Sequence, residues 1–376
     1  MIVFKLKNQI KHYVWGAPEW IPALIGIENP DQLPFAEMWM GVHPGGPSII
    51  TALDERLDTF MARNSWTGLP FLFKVLAADR PLSIQAHPSK AQAVAGFERE
   101  NRASIPIDDP KRNYKDPNHK PEIICALTPF KAMVGFREIT EICLLLDAFS
   151  LNNDHFIYLK AALDNGLRLF LQTLFELPVE TKRQISTHIL RNCQTLCAKS
   201  PDFSEIWKTI ASFAALYTED TAVLSPLYLN FIDLKPGEAL FLPSGVLHAY
   251  VHGLGVELMA NSDNVLRGGL TPKHIDVEEL LNILKFSPFK PDILHPSPMK
   301  YPAQIKEFSL SVLKNVGKLS GNGPAIVLVT EGTLTVSENE DKIILKRGES
   351  AFFAPLCGEK IRLHGDYTAY AAECSC

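Results

Sequence analysis

The feature that most narrows the possible folds is a change of texture in mid-chain. From Glu138 to Asp220 there is one glycine, Gly166, and there are two prolines, Pro178 and Pro201, while Leu, Ala, Gln and Glu take over. Both residues are costly in helix interiors, so their scarcity over so long a stretch predicts helices. Within it Ile185, Ile189, Cys193, Leu196 and Cys197 recur at three- and four-residue steps, one apolar stripe that puts the two thiols in a core rather than on a metal. On either side the chain is dense in Gly and Pro, with short apolar runs at 70–76, 123–125 and 231–242 between turn residues. That is a strand pattern. A helical block interrupting such a chain predicts a mainly β protein with an α-helical insertion.

Farther along, a short helix at 277–284 precedes a Pro-rich connector at 286–302. Beyond it, apolar runs at 325–330, 332–337, 342–346 and 351–354 sit at near-regular spacing with glycine turns, as in a sandwich or jelly roll. The expected organisation is residues 1–137 with 224–285 as one β domain carrying the chemistry, 138–223 as a helical insertion, and 286–376 as a second β domain. That second domain has no His/Glu cluster and reads as structural.

Composition removes several classes of function. With 37 Lys+Arg against 42 Asp+Glu the chain lacks the cationic excess that a phosphate backbone would demand, so no nucleic-acid partner is expected. The longest uncharged stretch, between Glu238 and Glu257, is broken by Pro243, Gly245, His248, His252, Gly253 and Gly255, so no membrane span is expected either. The opening residues lack the apolar core of a secretion signal, which makes the cytoplasm the expected compartment. Seven cysteines without a CxxC pair suit neither a disulfide framework nor a thiolate zinc knot.

Four segments can carry chemistry. In Leu82-Ser-Ile-Gln-Ala-His-Pro88 strand alternation would send Gln85 and His87 to the same face, two polar groups converging among apolar neighbours. In Gly237-Glu-Ala-Leu-Phe-Leu-Pro-Ser-Gly-Val-Leu-His248 a strand runs into a Pro-x-Gly turn and would deliver His248 to the mouth of a barrel. Its Gly-x5-Pro-x-Gly-x2-His spacing resembles the second conserved motif of the cupins, although the Asn often found four residues later is His252 here. The segment Asn113-Tyr-Lys-Asp-Pro-Asn-His-Lys-Pro-Glu122 is either a solvated loop or the edge of a site. Two imidazoles and a carboxylate, from His87, His248 and Glu122, are a ligand set that leaves Zn²⁺ or Fe²⁺ open to substrate. The fourth segment, 255–273, is rich in Asn, Ser, Asp and Gly. Its Arg267, followed by Gly268 and Gly269, could approach an anion closely.

Taken together, these segments resemble the type I mannose-6-phosphate isomerases, zinc enzymes of the cupin superfamily. The match also takes in His12-Tyr-Val-Trp-Gly16, Ala36-Glu-Met-Trp-Met-Gly-Val-His-Pro44 and Leu69-Pro-Phe-Leu-Phe-Lys74. The resemblance implies two cupin-type jelly rolls plus a helical domain. It implies one Zn²⁺ per chain held by Gln85, His87, Glu122 and His248, with Arg267 as an active-site arginine. The implied reaction interconverts mannose 6-phosphate and fructose 6-phosphate through an enediol. For the catalytic base the candidates are Lys120, Asp263, Glu257 and His87, with Lys120 and Asp263 placed first. Substrate contacts are expected from Ser83, Lys74 and Glu257, in a chain acting as a monomer. Two rival readings are an iron-dependent cupin dioxygenase and a sugar-phosphate-binding cupin without catalysis.

Overall fold

The computed structural model describes residues 3–66, 68–149, 154–315, 319, 323–338, 340–355 and 361–374. Its architecture follows from one long strand, His248–Ala260. The first part of this strand pairs with Ile84–Ala86 and Phe130–Phe136, and the rest pairs with Phe71–Ala78 and Glu122–Ala126. A strand can serve two faces of a barrel in this way only if it turns a corner. The corner is at Gly253, where φ is +131° and a Cβ would stand 2.7 Å from Phe130 Cδ2. Only glycine meets both conditions. Around this axis ten strands form one sheet whose interior is filled from Phe71–Ala78, buried along its whole length.

The helical block is an excursion between neighbouring strands. Phe136 and Leu229 are register partners of adjacent antiparallel strands, and the chain between them folds into helices. The long one, Val179–Lys199, buries Ile185, Ile189 and Leu196 as the apolar stripe requires. Cys193 and Cys197 are half-buried on the same stripe and donate to the carbonyls of Trp207 (3.4 Å) and Ser204 (3.7 Å). This helical core is continuous with Ile84, Ala86 and Leu266, so the insertion packs directly behind the strand that carries Gln85.

The second sheet has nine strands and repeats the device of a long bent strand. Residues 325–330 and 332–337, expected as two strands, form one, Ala325–Glu338. A register shift between Val329 and Glu331 and a left-handed Gly332 (φ +69°) bend it without breaking it. Its pairing crosses the expected boundary near residue 286. Val3–Lys7, expected within the first β domain, lies between Ser350–Phe353 and Ile49–Ile50 and belongs to the sheet of the tail. The reason is physical: Val3 and Leu6 are buried in a core shared with Phe352 and Phe353, and the short strand Ser350–Phe353 gains a partner on each side. Among the described residues no helix is long and apolar enough to cross a membrane.

Candidate active site

Three local structures deliver the candidate ligands. His87 follows the strand Ile84–Ala86, Glu122 opens Glu122–Ala126, and His248 opens His248–Ala260 directly after the Pro243–Gly245 turn. The turn has its own requirement for glycine: Gly245 has φ +78°, and its N–H donates to the carbonyl of His87 at 2.8 Å, tying two of the segments together. As a result one ligand atom from each of His87, Glu122 and His248 lies within 4.8 Å of the others. All three side chains are about 1 % exposed.

The hydrogen-bond pattern of this cluster calls for a cation. His87 Nδ1 is 2.8 Å from the carbonyl of Asn264 and His248 Nδ1 is 3.0 Å from that of Val246. A carbonyl only accepts, so each Nδ1 carries the proton, and in a neutral ring Nε2 then presents a bare lone pair. Both Nε2 atoms stand 3.3 Å from the same Glu122 Oε2. None of these three buried atoms makes a hydrogen bond. Burial pulls the His87 imidazole down to about 4, against the charge of Glu122, so near neutrality it is not protonated. Two lone pairs and an anionic oxygen facing each other in a dry site are repulsive, and a divalent ion at their centre turns each contact attractive. The donor set fits zinc with a position left for substrate.

The surroundings hold this set in place. Burial disfavours the charged form of Glu122, but the Lys120 ammonium, 2.9 Å from Oε1, and then His87 hold its carboxyl well below the usual range. Oε1 is thereby committed and Oε2 left free. Asn264, fully buried, fixes the loop before Lys120: its Oδ1 accepts from Lys115 N (2.7 Å), and its Nδ2 donates to the carbonyls of Asp116 (2.7 Å) and Asn118 (2.8 Å). One residue therefore orients His87 through its backbone and the Lys120 loop through its side chain.

Beside the cluster opens a cavity of about 690 Å³, the right scale for a sugar phosphate. Gln85 and Ser83 line it, as does Arg267. Gln85 lies opposite His248 in one strand pairing and opposite Arg267 in another, so it stands between the candidate ligands and the cation. Arg267 has no acidic partner among the described residues, and burial alone lowers its pKa. Lys273, on the same cavity wall, is lowered by burial and then by repulsion from Arg267 and Lys115. Two uncompensated cations facing one hollow form a seat for a dianion.

Other expected residues have different surroundings. Lys74 lies beneath the cavity and not on its wall, with its ammonium 3.1 Å from Glu257 and 3.5 Å from Glu37. Burial opposes its charge, but these carboxylates and Glu122 raise its pKa overall. Its charge is thus met internally, leaving none over for a phosphate. Glu257 is buried and accepts from the Tyr250 hydroxyl (2.8 Å) as well as from Lys74. Asp263 is half-exposed and hydrogen-bonds His43 Nε2 at 3.2 Å, which with the His43 charge holds its carboxyl below the usual range against partial burial. The sequence reading passed over Lys273, Asn264 and Glu37 as functional residues, although all three lie inside segments it quoted. Arg80 and Tyr217 also line the cavity, and no local signal marked either.

The model of the phosphomannose isomerase type I catalytic domain matches residues 3–139, ending where the first helix of the insertion begins. The mannose-6-phosphate isomerase of Salmonella typhimurium is 40% identical over 374 residues, covering 93% of this chain and 94% of that protein. The Escherichia coli enzyme of the same name is 39% identical over 376 residues, with the same coverage. A crystal structure of the Salmonella typhimurium enzyme, bound to substrate and zinc, superposes over 100% of both chains with a TM-score of 0.90 at 35% identity.

Proposed function

The chain belongs to the type I phosphomannose isomerase family, and from that premise we propose that it interconverts mannose 6-phosphate and fructose 6-phosphate with one zinc ion. The observation that carries this reading is the buried trio of unpartnered ligand atoms on His87, Glu122 and His248 beside a cavity lined by unpaired cations. Gln85 is assigned as the fourth ligand from its place opposite His248. A neutral carbonyl ligand keeps the site's net charge at about +1, which suits charge stabilisation better than a closed, anionic thiolate site.

The chemical obstacle is a weakly acidic C–H: moving its proton between C1 and C2 puts negative charge on the two oxygens of an enediol. Zinc, when bound, supplies Lewis acidity where that charge develops, worth several kcal/mol. The chain's own residues do the rest. Arg267 and Lys273, with the Ser83 hydroxyl, hold the phosphate at the far side of Gln85 and so keep it from competing for the metal. Lys120, whose ammonium touches Glu122 Oε1, is the group assigned to carry the proton. Asp263, the other candidate, is engaged by His43 and not by the ligand cluster that Lys120 touches; neither side chain lines the cavity itself. Lys74, Glu257, Glu37 and Tyr250 form a buried charged network under the sugar, a rigid polar floor.

In this reading the chain acts as a monomer. Cys125, Cys143, Cys193 and Cys197 are free thiols, which supports a reducing compartment such as the cytoplasm. The deciding experiment is metal analysis of the purified protein with a coupled isomerase assay before and after chelation. Stoichiometric zinc, with activity lost on chelation and restored by zinc, is the expected result. Undiminished activity in metal-free protein would overturn the reading, and oxygen uptake without isomerisation would favour an iron dioxygenase instead.

A further inference from the structure

The helical insertion meets the substrate cavity at one place, the segment 216–222. Leu216 and Tyr217 lie on the cavity wall together with Arg267, Leu270, Thr271, Pro272 and Lys273. Three residues after Tyr217, Asp220 caps the short 3-10 helix Thr221–Leu224 by accepting from Ala222 N at 2.9 Å. Its other oxygen, Oδ2, reaches out of the insertion and accepts from the backbone N–H of Leu270 at 2.7 Å.

Leu270 is where the chain most needs such a hold. After Arg267, opposite Gln85, the strand pairing shifts register so that Gly269 faces Ile84, and the backbone passes through Gly269 at φ +122° and Leu270 at φ +54°. A non-glycine residue in the left-handed region persists only where its surroundings over-determine it. Here they do: Leu270 is 2 % exposed, its N–H is held by Asp220, and Gly269 passes so close that a Cβ would come within 2.1 Å of Ala222 Cβ. This turn brings Lys273 back to the hollow that Arg267 faces, against the repulsion between the two cations. Burial raises the Asp220 carboxyl overall, while the backbone donors of Ala222 and Leu270, then the Lys182 charge and the backbone of Thr271, favour its charged form.

We propose that Asp220 is a positioning residue for the phosphate end of the cavity: from the helical insertion it holds the turn after Arg267, so that Arg267 and Lys273 converge on one phosphate dianion. The inference rests on the sugar-phosphate reading above and gives the insertion a part in substrate binding. Asp220 itself touches no reacting atom.

The test compares the zinc-loaded wild-type enzyme with Asp220→Ala and Asp220→Asn. The readouts are kcat, KM for mannose 6-phosphate, zinc content, melting temperature, and the dissociation constant of inorganic phosphate from direct titration. Asp220→Ala is expected to raise KM and the phosphate dissociation constant about tenfold or more, with zinc stoichiometric and kcat within about threefold. Asp220→Asn, which keeps an acceptor for Ala222 N but offers Leu270 N an amide donor, is expected to fall between. Should Asp220→Ala fail to fold, Asp220→Asn decides alone. A lower melting temperature with unchanged KM and unchanged phosphate affinity would make Asp220 merely structural and overturn the proposal, as would a wild-type enzyme that binds no phosphate. If wild-type enzyme binds phosphate but does not isomerise mannose 6-phosphate, the functional reading fails while the titration still judges the clamp.

Discussion

Replacing Glu122 by Gln changes one charge and almost no volume, and the geometry of the site fixes three consequences. On the proposed ligand set the metal loses its only anionic ligand, since His87, His248 and Gln85 would be neutral donors. Lys120 keeps a neutral amide oxygen beside its ammonium but loses the negative charge that balances it, in a site where both side chains are under 10 % exposed. Breaking a buried pair by removing one partner costs about 3–5 kcal/mol. Against this, the new amide can donate to the imidazole Nε2 atoms 3.3 Å from the replaced oxygen, returning about 1 kcal/mol for a single bond. Glu122→Gln should therefore be destabilised by roughly 2–4 kcal/mol in the metal-free form. It should also lose the stabilisation that zinc gives the wild type, about 4 kcal/mol at a thousandfold excess over the dissociation constant. The assay is denaturant unfolding of chelated and zinc-loaded samples with metal analysis of each, and Lys120→Met added to Glu122→Gln serves as the control. Because the cost is assigned to an uncompensated ammonium, the double variant should be more stable than Glu122→Gln. Stoichiometric zinc in Glu122→Gln, or a double variant no more stable than the single one, would refute the reasoning.

Other expectations follow from the same geometry. Arg267→Ala should raise KM and weaken inorganic phosphate binding by about tenfold or more while zinc stays stoichiometric; unchanged phosphate affinity would remove Arg267 from the phosphate seat. The folded-state pKa of His87 is depressed from 6.5 to about 4, so the unfolded chain takes up that proton first. Metal-free protein should accordingly lose stability as pH falls from 6.5 toward 4, with the lowered Glu122 carboxyl extending the loss below the usual carboxylate range; a flat melting temperature across that window would contradict both. Gly253→Ala meets a φ of +131° and a contact at 2.7 Å, and should cost about 2 kcal/mol or more, read as a shifted urea midpoint.

What the sequence disclosed, and what it hid, divides by distance along the chain. The helical insertion was legible because the absence of Gly and Pro is a local signal, and Val179–Lys199 buries the stripe that its periodicity marks. The segments carrying His87 and His248 were legible because a two-residue alternation and a Pro-x-Gly turn are local as well. Glu122 could be read from its own surroundings only as a loop or a site edge, and it joined the other two only as the carboxylate that completes a two-imidazole ligand set. Lys74 shows the limit: a lysine next to a site suggests an anion contact, and only the pairing that sets Glu257 opposite it and Glu37 close by reveals that its charge is already met. The same holds for Asp220 and Leu270, joined across 50 residues, and for Asn264, whose bonds to 115–118 no spacing rule could foresee.

The placement of Val3–Lys7 has a consequence for how the molecule is made. Lys5 grips Glu349 across 344 residues, so Val3–Lys7 leaves the ribosome long before the strand Ser350–Phe353 that pairs with it, and the sheet stays open on that side until both are made. During that interval an amphipathic strand is without its mate, and a holding chaperone would find its target there. Deleting Ser350–Phe353 would therefore injure Val3–Lys7, far earlier in the chain, first.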